Sequence, residues 1–302
     1  MLSKLNRMML ALALLTMSAV TTAQSITVEH PLGKTTLETN PERVIVLGMD
    51  TLDVLDSLNI EPIGVVKAPM PQYLNKYQDD KYVSVGSLFE PDFETIYSLK
   101  PDLIIASNRS STSYEELSKI APTVVFMADA KNYWETTQSA WRMVGEIFEK
   151  QDHIEKVIKH QQKQIDAIAA FTEANKPQVM MVMTNGGKVA TFGENSRYSA
   201  IYNLFGFKAA KSNQENKNHG DLISFEYIAE VNPEHILILD RDQAIGRPSG
   251  EAFEKLDNPI IATTKAAKAG SIHYLNPTAW YISASGIKAT QFIIDDLKGV
   301  TQ

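Results

Sequence analysis

Three arginines sit just beyond strand-like or turn-like runs. They are Arg109 in Ser107-Asn108-Arg109-Ser110-Ser111, Arg197 in Glu194-Asn195-Ser196-Arg197-Tyr198, and Arg241 in Asp240-Arg241-Asp242. Arginine is a permanent cation whose planar donor fork matches carboxylate, phosphate or catecholate oxygens. Taken singly, each reads as a solvated surface residue or a salt-bridge partner. A cluster of guanidiniums facing a closed cleft needs an anion. His219, in the polar loop Asn216-Lys217-Asn218-His219-Gly220-Asp221, and Tyr281, in Asn276-Pro277-Thr278-Ala279-Trp280-Tyr281, offer a second kind of chemistry. Alone, the histidine fits an exposed loop position and the tyrosine a packed aromatic. Together, an imidazole nitrogen and a phenolate oxygen could both ligate Fe(III). Two protein ligands cannot fill an octahedral iron, so a chelator supplying the remaining oxygens would have to complete it.

Hydrolytic and nucleotide-dependent chemistry finds no local support. The chain has no Gly-x-Ser-x-Gly, Walker loop, His-Glu-x-x-His or Gly-x-Gly-x-x-Gly. Gly186-Gly187 follows a strand-like run, but no helix with phosphate-binding spacing opens there. The absence of cysteine excludes disulfides, thiolate metal sites, a cysteine nucleophile and a lipid-modified N-terminal cysteine.

The elements that must position these groups follow from patterning. Lys4 and Arg7, the apolar run from Met8 to Val20 and the small residues Thr21-Thr22-Ala23 predict a secretory signal over 1–23, cleaved before Gln24. No other apolar run approaches the ~20 residues of a membrane span, so no span is expected in the mature chain. Removing Lys4 and Arg7 takes the formal net charge from -7 to -9, because residues 1–23 hold no acid. Such an acidic exterior argues against a nucleic-acid partner. The 44% hydrophobic and 22% charged content is that of an ordinary globular protein.

A small hairpin is predicted over 26–38, then β-rich runs at 43–47, 62–66, 82–85, 103–106 and 124–127 separated by helical stretches. Residues 133–175 carry no proline, and Ile154, Val157, Ile158, Ile165, Ile168 and Phe171 recur at helical spacing, predicting one long amphipathic helix over 150–175. Asn175-Lys176-Pro177 ends it. Strand signals then resume at 178–183, 188–192, 235–239 and 271–275, with a last helix over 283–297. The pattern is α/β: two similar lobes with mainly parallel central sheets, at 24–149 and 176–302, joined by one long backbone helix.

The halves also match in detail. Phe93-Glu94-Thr95-Ile96 through Pro101-Asp102-Leu103-Ile104-Ile105 parallels Phe225-Glu226-Tyr227-Ile228 through Pro233-Glu234-His235-Ile236-Leu237, and the same offset carries Arg109 onto Arg241. Ligands of open α/β sheets bind beyond the carboxyl ends of the strands, so Arg109 and Arg241 should face each other across a cleft.

Asn40-Pro41-Glu42-Arg43-Val44-Ile45-Val46-Leu47, Leu99-Lys100-Pro101-Asp102-Leu103-Ile104-Ile105 and the central helix resemble the class III periplasmic binding proteins, which serve ABC importers of ferric siderophores, haem and cobalamin. The resemblance extends over essentially all of 24–302. It implies a periplasmic protein that captures its ligand unchanged and delivers it to an inner-membrane ABC permease, with no permanently bound cofactor and no catalysis. Arg109, Arg197, Arg241, His219 and Tyr281 match, in type and order, the binding residues of the ferric-catecholate group. In that group the arginines neutralise the anionic complex, and the histidine and tyrosine coordinate iron when a tetradentate chelator leaves two sites open. Glu94 and Glu226 correspond to the family's permease-docking acids; as helix-start acids they also suit the helix dipole without any partner. Haem and cobalamin are rival cargoes, and a secreted α/β hydrolase is the alternative of another class.

Overall fold

The computed structural model describes residues 24–212, 220–247 and 256–301, so the predicted signal over 1–23 and His219 lie outside the described residues. Strands β1 (Ser25–His30) and β2 (Gly33–Glu38) form the expected hairpin, with Ser25 opposite Glu38. The first sheet contains β3 (Val44–Val46), β4 (Gly64–Val65), β5 (Val83–Ser84), β6 (Leu103–Ser107) and β7 (Thr123–Phe126). Its order is β5-β4-β3-β6-β7, and every pairing is parallel. Every residue of β3, β6 and β7 is buried, as expected of parallel strands covered on both faces.

The second sheet contains β8 (Gln178–Asn185), β9 (Lys188–Phe192), β10 (Lys208–Ala209), β11 (Asp221–Ile223), β12 (His235–Asp240) and β13 (Ile272–Tyr274). Its order is β11-β9-β8-β12-β13, with β10 alongside β8. Strands β8, β12, β13 and β10 are parallel, whereas β9 is antiparallel to β8. Gly186 and Gly187 have φ of 52° and 87° and join β8 to β9. A two-residue hairpin turn of this kind requires positive φ at both positions, which glycine adopts without strain. That geometry accounts for the Gly-Gly pair.

The helices that matter to the site are α1 (Met49–Ser57), α2 (Phe93–Ser98), α3 (Tyr133–Ile147), α4 (Gln151–Asn175), α5 (Phe225–Val231), α6 (Pro277–Tyr281) and α7 (Ile287–Val300). The long helix α4 has 25 residues and buries Ile154, Ile158, Gln161, Ile165, Ile168 and Thr172, a single stripe at spacings of three and four. Lys176, left-handed at φ 52°, stops it just before Pro177. The main apolar core is continuous across both sheets, including Ile105, Trp141, Leu237 and Trp280.

The internal match is also a match of backbone. Asp92 caps α2 by accepting from Thr95 N, and Ser224 caps α5 by accepting from Tyr227 N. Beyond each helix, Lys100 and Asn232 are left-handed, at φ 47° and 50°. The acids that follow bind the opening backbone of their sheet: Asp102 accepts from Arg43 N at 2.8 Å, and Glu234 accepts from Gln178 N at 3.0 Å.

The last helix departs from expectation. It begins at Ile287 instead of residue 283, because its cap comes from another part of the chain. Asp53 of α1 accepts hydrogen bonds from Lys288 N and Ala289 N, both at 2.8 Å. A Cβ on Gly286 would stand 2.3 Å from Asp53 Oδ2, so glycine is what lets the carboxylate reach the helix end. Helix α7 thereby packs on α1 and α4, although it follows the second sheet in sequence.

Candidate functional site

Strands β3 and β6 are neighbours at the centre of the first sheet, where the strand order reverses direction, and both chains leave on the same side. Such a reversal opens a crevice at the carboxyl end of an α/β sheet. Arg109 emerges there, two residues past β6. The turn beneath it is built by serines: Ser110 Oγ accepts from Ser107 N at 2.9 Å, and Ser107 Oγ donates to Leu47 O at 3.0 Å. Arg241 leaves the carboxyl end of β12 in the second sheet. Its Nη1 donates to Asn185 Oδ1 at 3.0 Å, at the end of the neighbouring β8. Arg197 lies in the loop after β9, next to Tyr198, whose ring is held edge-on against Phe192 and tilted beside Trp280.

Tyr281, the last residue of α6, gathers all three. Arg241 Nε donates to the Tyr281 hydroxyl at 2.9 Å, and Arg109 Nη2 donates to the Tyr281 backbone carbonyl at 3.0 Å. The guanidinium carbons of Arg109, Arg197 and Arg241 stand 5.5, 4.7 and 5.5 Å from the Tyr281 ring centroid. Cations at that range interact favourably with the ring face. Among the described residues, none of the three guanidiniums has a carboxylate within the 4.0 Å of an ion pair. The result is concentrated positive charge around one phenol.

That charge acts on the phenol. Partial burial by itself would raise the Tyr281 pKa. The hydrogen bond from Arg241 and the charges of Arg241, Arg197 and Arg109 outweigh it and hold the phenol below the ordinary tyrosine value. Arg109 is pushed down, first by desolvation and then by repulsion from Arg197. Asp50, at the start of α1, partly offsets this through its charge. Burial raises the Asp50 carboxyl, opposed by hydrogen bonds from Thr51 N and Ser285 Oγ and by the Arg109 charge. Asp50 carried no sequence signal, since its partners stand at Arg109 and Ser285.

The segment leading from Tyr281 into α7 is held from the first half of the chain and from the long helix α4. Ser283 Oγ meets Tyr73 Oη at 3.0 Å, and the Ala284 carbonyl accepts from the Tyr133 hydroxyl. Ser285 O accepts from Trp141 Nε1 at 2.7 Å, and Ile287 O accepts from Gln161 Nε2 at 2.9 Å.

Glu94 and Glu226 occupy equivalent exposed positions in the first turns of α2 and α5. The Glu226 carboxyl is held below the ordinary glutamate value, first by its own backbone N–H and then by Ser224. Arg109, Arg197, Arg241 and Tyr281 are thus brought together, Glu94 and Glu226 stand in the first turns of α2 and α5, and His219 is outside the described residues.

A family model described as periplasmic binding protein matches residues 44–279. The crystal structure of the periplasmic catecholate-siderophore binding protein VctP from Vibrio cholerae superposes with a TM-score of 0.88 at 47% identity, covering 91% of this chain and 100% of that one. The structure of the petrobactin-binding protein YclQ from Bacillus subtilis gives a TM-score of 0.87 at 36% identity, covering 92% and 99% of the respective chains. The ferric-anguibactin-binding protein FatB of Vibrio anguillarum is 36% identical over 90% of this chain and 86% of its own.

Proposed function

We propose that this chain, which belongs to the periplasmic binding protein family, captures an anionic ferric siderophore and delivers it to an inner-membrane ABC importer. The observation that carries the reading is the convergence of Arg109, Arg197 and Arg241 on Tyr281 with no carboxylate at ion-pair distance among the described residues. A polyanionic chelate is the complement of that charge. The relatives that bind petrobactin, anguibactin and catecholate siderophores support the cargo class. The reading makes the protein a carrier that releases its cargo unchanged, working in the periplasm after removal of residues 1–23.

Each residue has a distinct role in this reading. The three arginines neutralise the chelate. Tyr281, its phenol held below the ordinary tyrosine value by the arginines, loses its proton to bind Fe(III) directly when the chelator is tetradentate. His219 supplies the second protein ligand. Glu94 and Glu226, matched on the two halves, meet basic residues of the permease. No covalent step is required: binding exchanges water on iron for protein ligands, and the Tyr281 proton leaves to solvent.

Visible absorption of the purified mature protein titrated with ferric bis-catecholate tests the reading. The expected result is saturable binding with a shifted ligand-to-metal charge-transfer band. No binding of any ferric chelate, or hydrolytic turnover of the siderophore that disappears on mutating one serine, would overturn it.

A further inference from the structure

At the carboxyl end of β5 the chain makes a closed turn and lifts an aromatic ring into solvent. Ser87 N donates to Glu90 O at 2.9 Å, and Ser87 Oγ accepts from Phe89 N at 3.3 Å and Glu90 N at 3.0 Å. Gly86 and Pro91 form an antiparallel bridge at the base, and Asp92 N donates to Val85 O at 3.0 Å. Gly86 has φ 99°, and a Cβ there would stand 2.4 Å from Glu90 O, so only glycine closes the turn this tightly. The tip is therefore a fixed mount. Phe89, at its end, is 66% exposed, so the core does not hold it there.

Single exposed apolar residues are common and need no explanation on their own. Phe89 differs in what lies on its face. The Arg109 guanidinium carbon is 5.8 Å from its ring centroid and 5.5 Å from that of Tyr281. Arg109 thus bridges Tyr281 and an open phenyl ring on the first half of the molecule. An anion held by Arg109 would lie beside that ring. If the anion carries its charge on a flat aromatic ring, the two rings can stack or meet edge to face.

We propose that Phe89 is a specificity-determining wall of the ligand site, packing against an aromatic ring of the bound ferric chelate and so favouring catecholates over non-aromatic anionic chelates. This inference rests on the ferric-siderophore reading of the same site. Phe89 contributes little to discrimination by charge, which the arginines supply. It adds an apolar, planar contact that a carboxylate-only chelate cannot use.

The test compares the mature wild-type protein with Phe89→Ala and Phe89→Trp, titrated with ferric bis-catecholate and with ferric citrate. Thermal unfolding of each variant is measured in parallel. Phe89→Ala is expected to weaken catecholate binding roughly 2- to 10-fold, the range of one aromatic contact. Citrate affinity and the unfolding midpoint should not change, and Phe89→Trp should retain catecholate affinity. Should the wild type not bind citrate, the contrast between Ala and Trp on the catecholate decides. Equal losses for both chelates, or unchanged catecholate affinity in Phe89→Ala, would overturn the role of Phe89 while leaving the carrier reading standing. A wild-type protein that binds no ferric catecholate would overturn both.

Discussion

Arg109 holds Tyr281 by its backbone carbonyl, at 3.0 Å, while Arg241 takes the hydroxyl of the same residue. The two guanidiniums come from opposite sheets, so one residue is gripped from both halves of the chain. Removing Arg109 therefore does more than delete a positive charge. Arg109→Met is expected to weaken binding of both bis- and tris-catecholate ferric complexes about 10- to 100-fold, as for a lost partly desolvated charge contact. Isothermal titration with each complex checks this, and a loss confined to one denticity would contradict it.

Tyr281 and His219 should behave differently from the arginines. Tyr281→Phe keeps the ring and removes the oxygen, and His219→Ala removes the imidazole. Each should weaken a tetradentate bis-catecholate complex and shift its charge-transfer band. A hexadentate tris-catecholate already fills iron, so its affinity should change much less. Small, equal effects on both complexes would show that neither side chain is an iron ligand.

Glu94 and Glu226 lie in the first turns of capped helices, where a negative charge is favourable in any case. A docking role makes a separate demand. Charge reversal of both to Lys should abolish siderophore uptake in a strain dependent on this protein, while equilibrium binding of the cargo is unchanged. Normal uptake by the double variant would leave only the dipole interaction.

Asp53 is buried at 0% exposure, and burial pushes its carboxyl from 3.8 up to about 6, opposed by hydrogen bonds from Lys288 N, Tyr73 and Ala289 N. The folded carboxyl thus holds its proton more tightly than the unfolded one, and the folded state binds more protons between those values. Its contribution to stability is greatest below about pH 4, falls as pH rises toward 6, and levels off above that, a change of about 3 kcal/mol. Denaturant unfolding across pH 4 to 7 should show this slope in the wild type relative to Asp53→Asn. Parallel curves for the two proteins would exclude Asp53 as its source.

The segment from Tyr281 to Ile287 is hydrogen-bonded to Tyr73, Arg109, Tyr133, Trp141 and Gln161 of the first half and of the long helix. A wide hinge rotation between the sheets would break these bonds together, and α4 offers no strand hinge to absorb it. Solution scattering curves of free and loaded protein should therefore nearly coincide. A large change in radius of gyration on loading would contradict this.

Much of the architecture was legible in the chain because its causes are local. Continuous apolar runs marked β3, β6 and β7, the three-and-four stripe from Ile154 to Ile168 marked α4, and the paired Phe-Glu segments marked the internal repeat, whose caps Asp92 and Ser224 emerged only in the structure. Arg109, Arg197, Arg241 and Tyr281 could be nominated because permanent charge and metal-binding capacity belong to residue type. Their convergence on one phenol could not be read that way, since it depends on how two sheets are set against each other. The start of α7 was misplaced for the same reason: its capping carboxylate, Asp53, lies 235 residues from Lys288. Phe89 gave no local signal at all. A phenylalanine in a turn is unremarkable until the fold lays the Arg109 guanidinium against its ring, because side-chain environment arises from long-range packing and not from sequence neighbours.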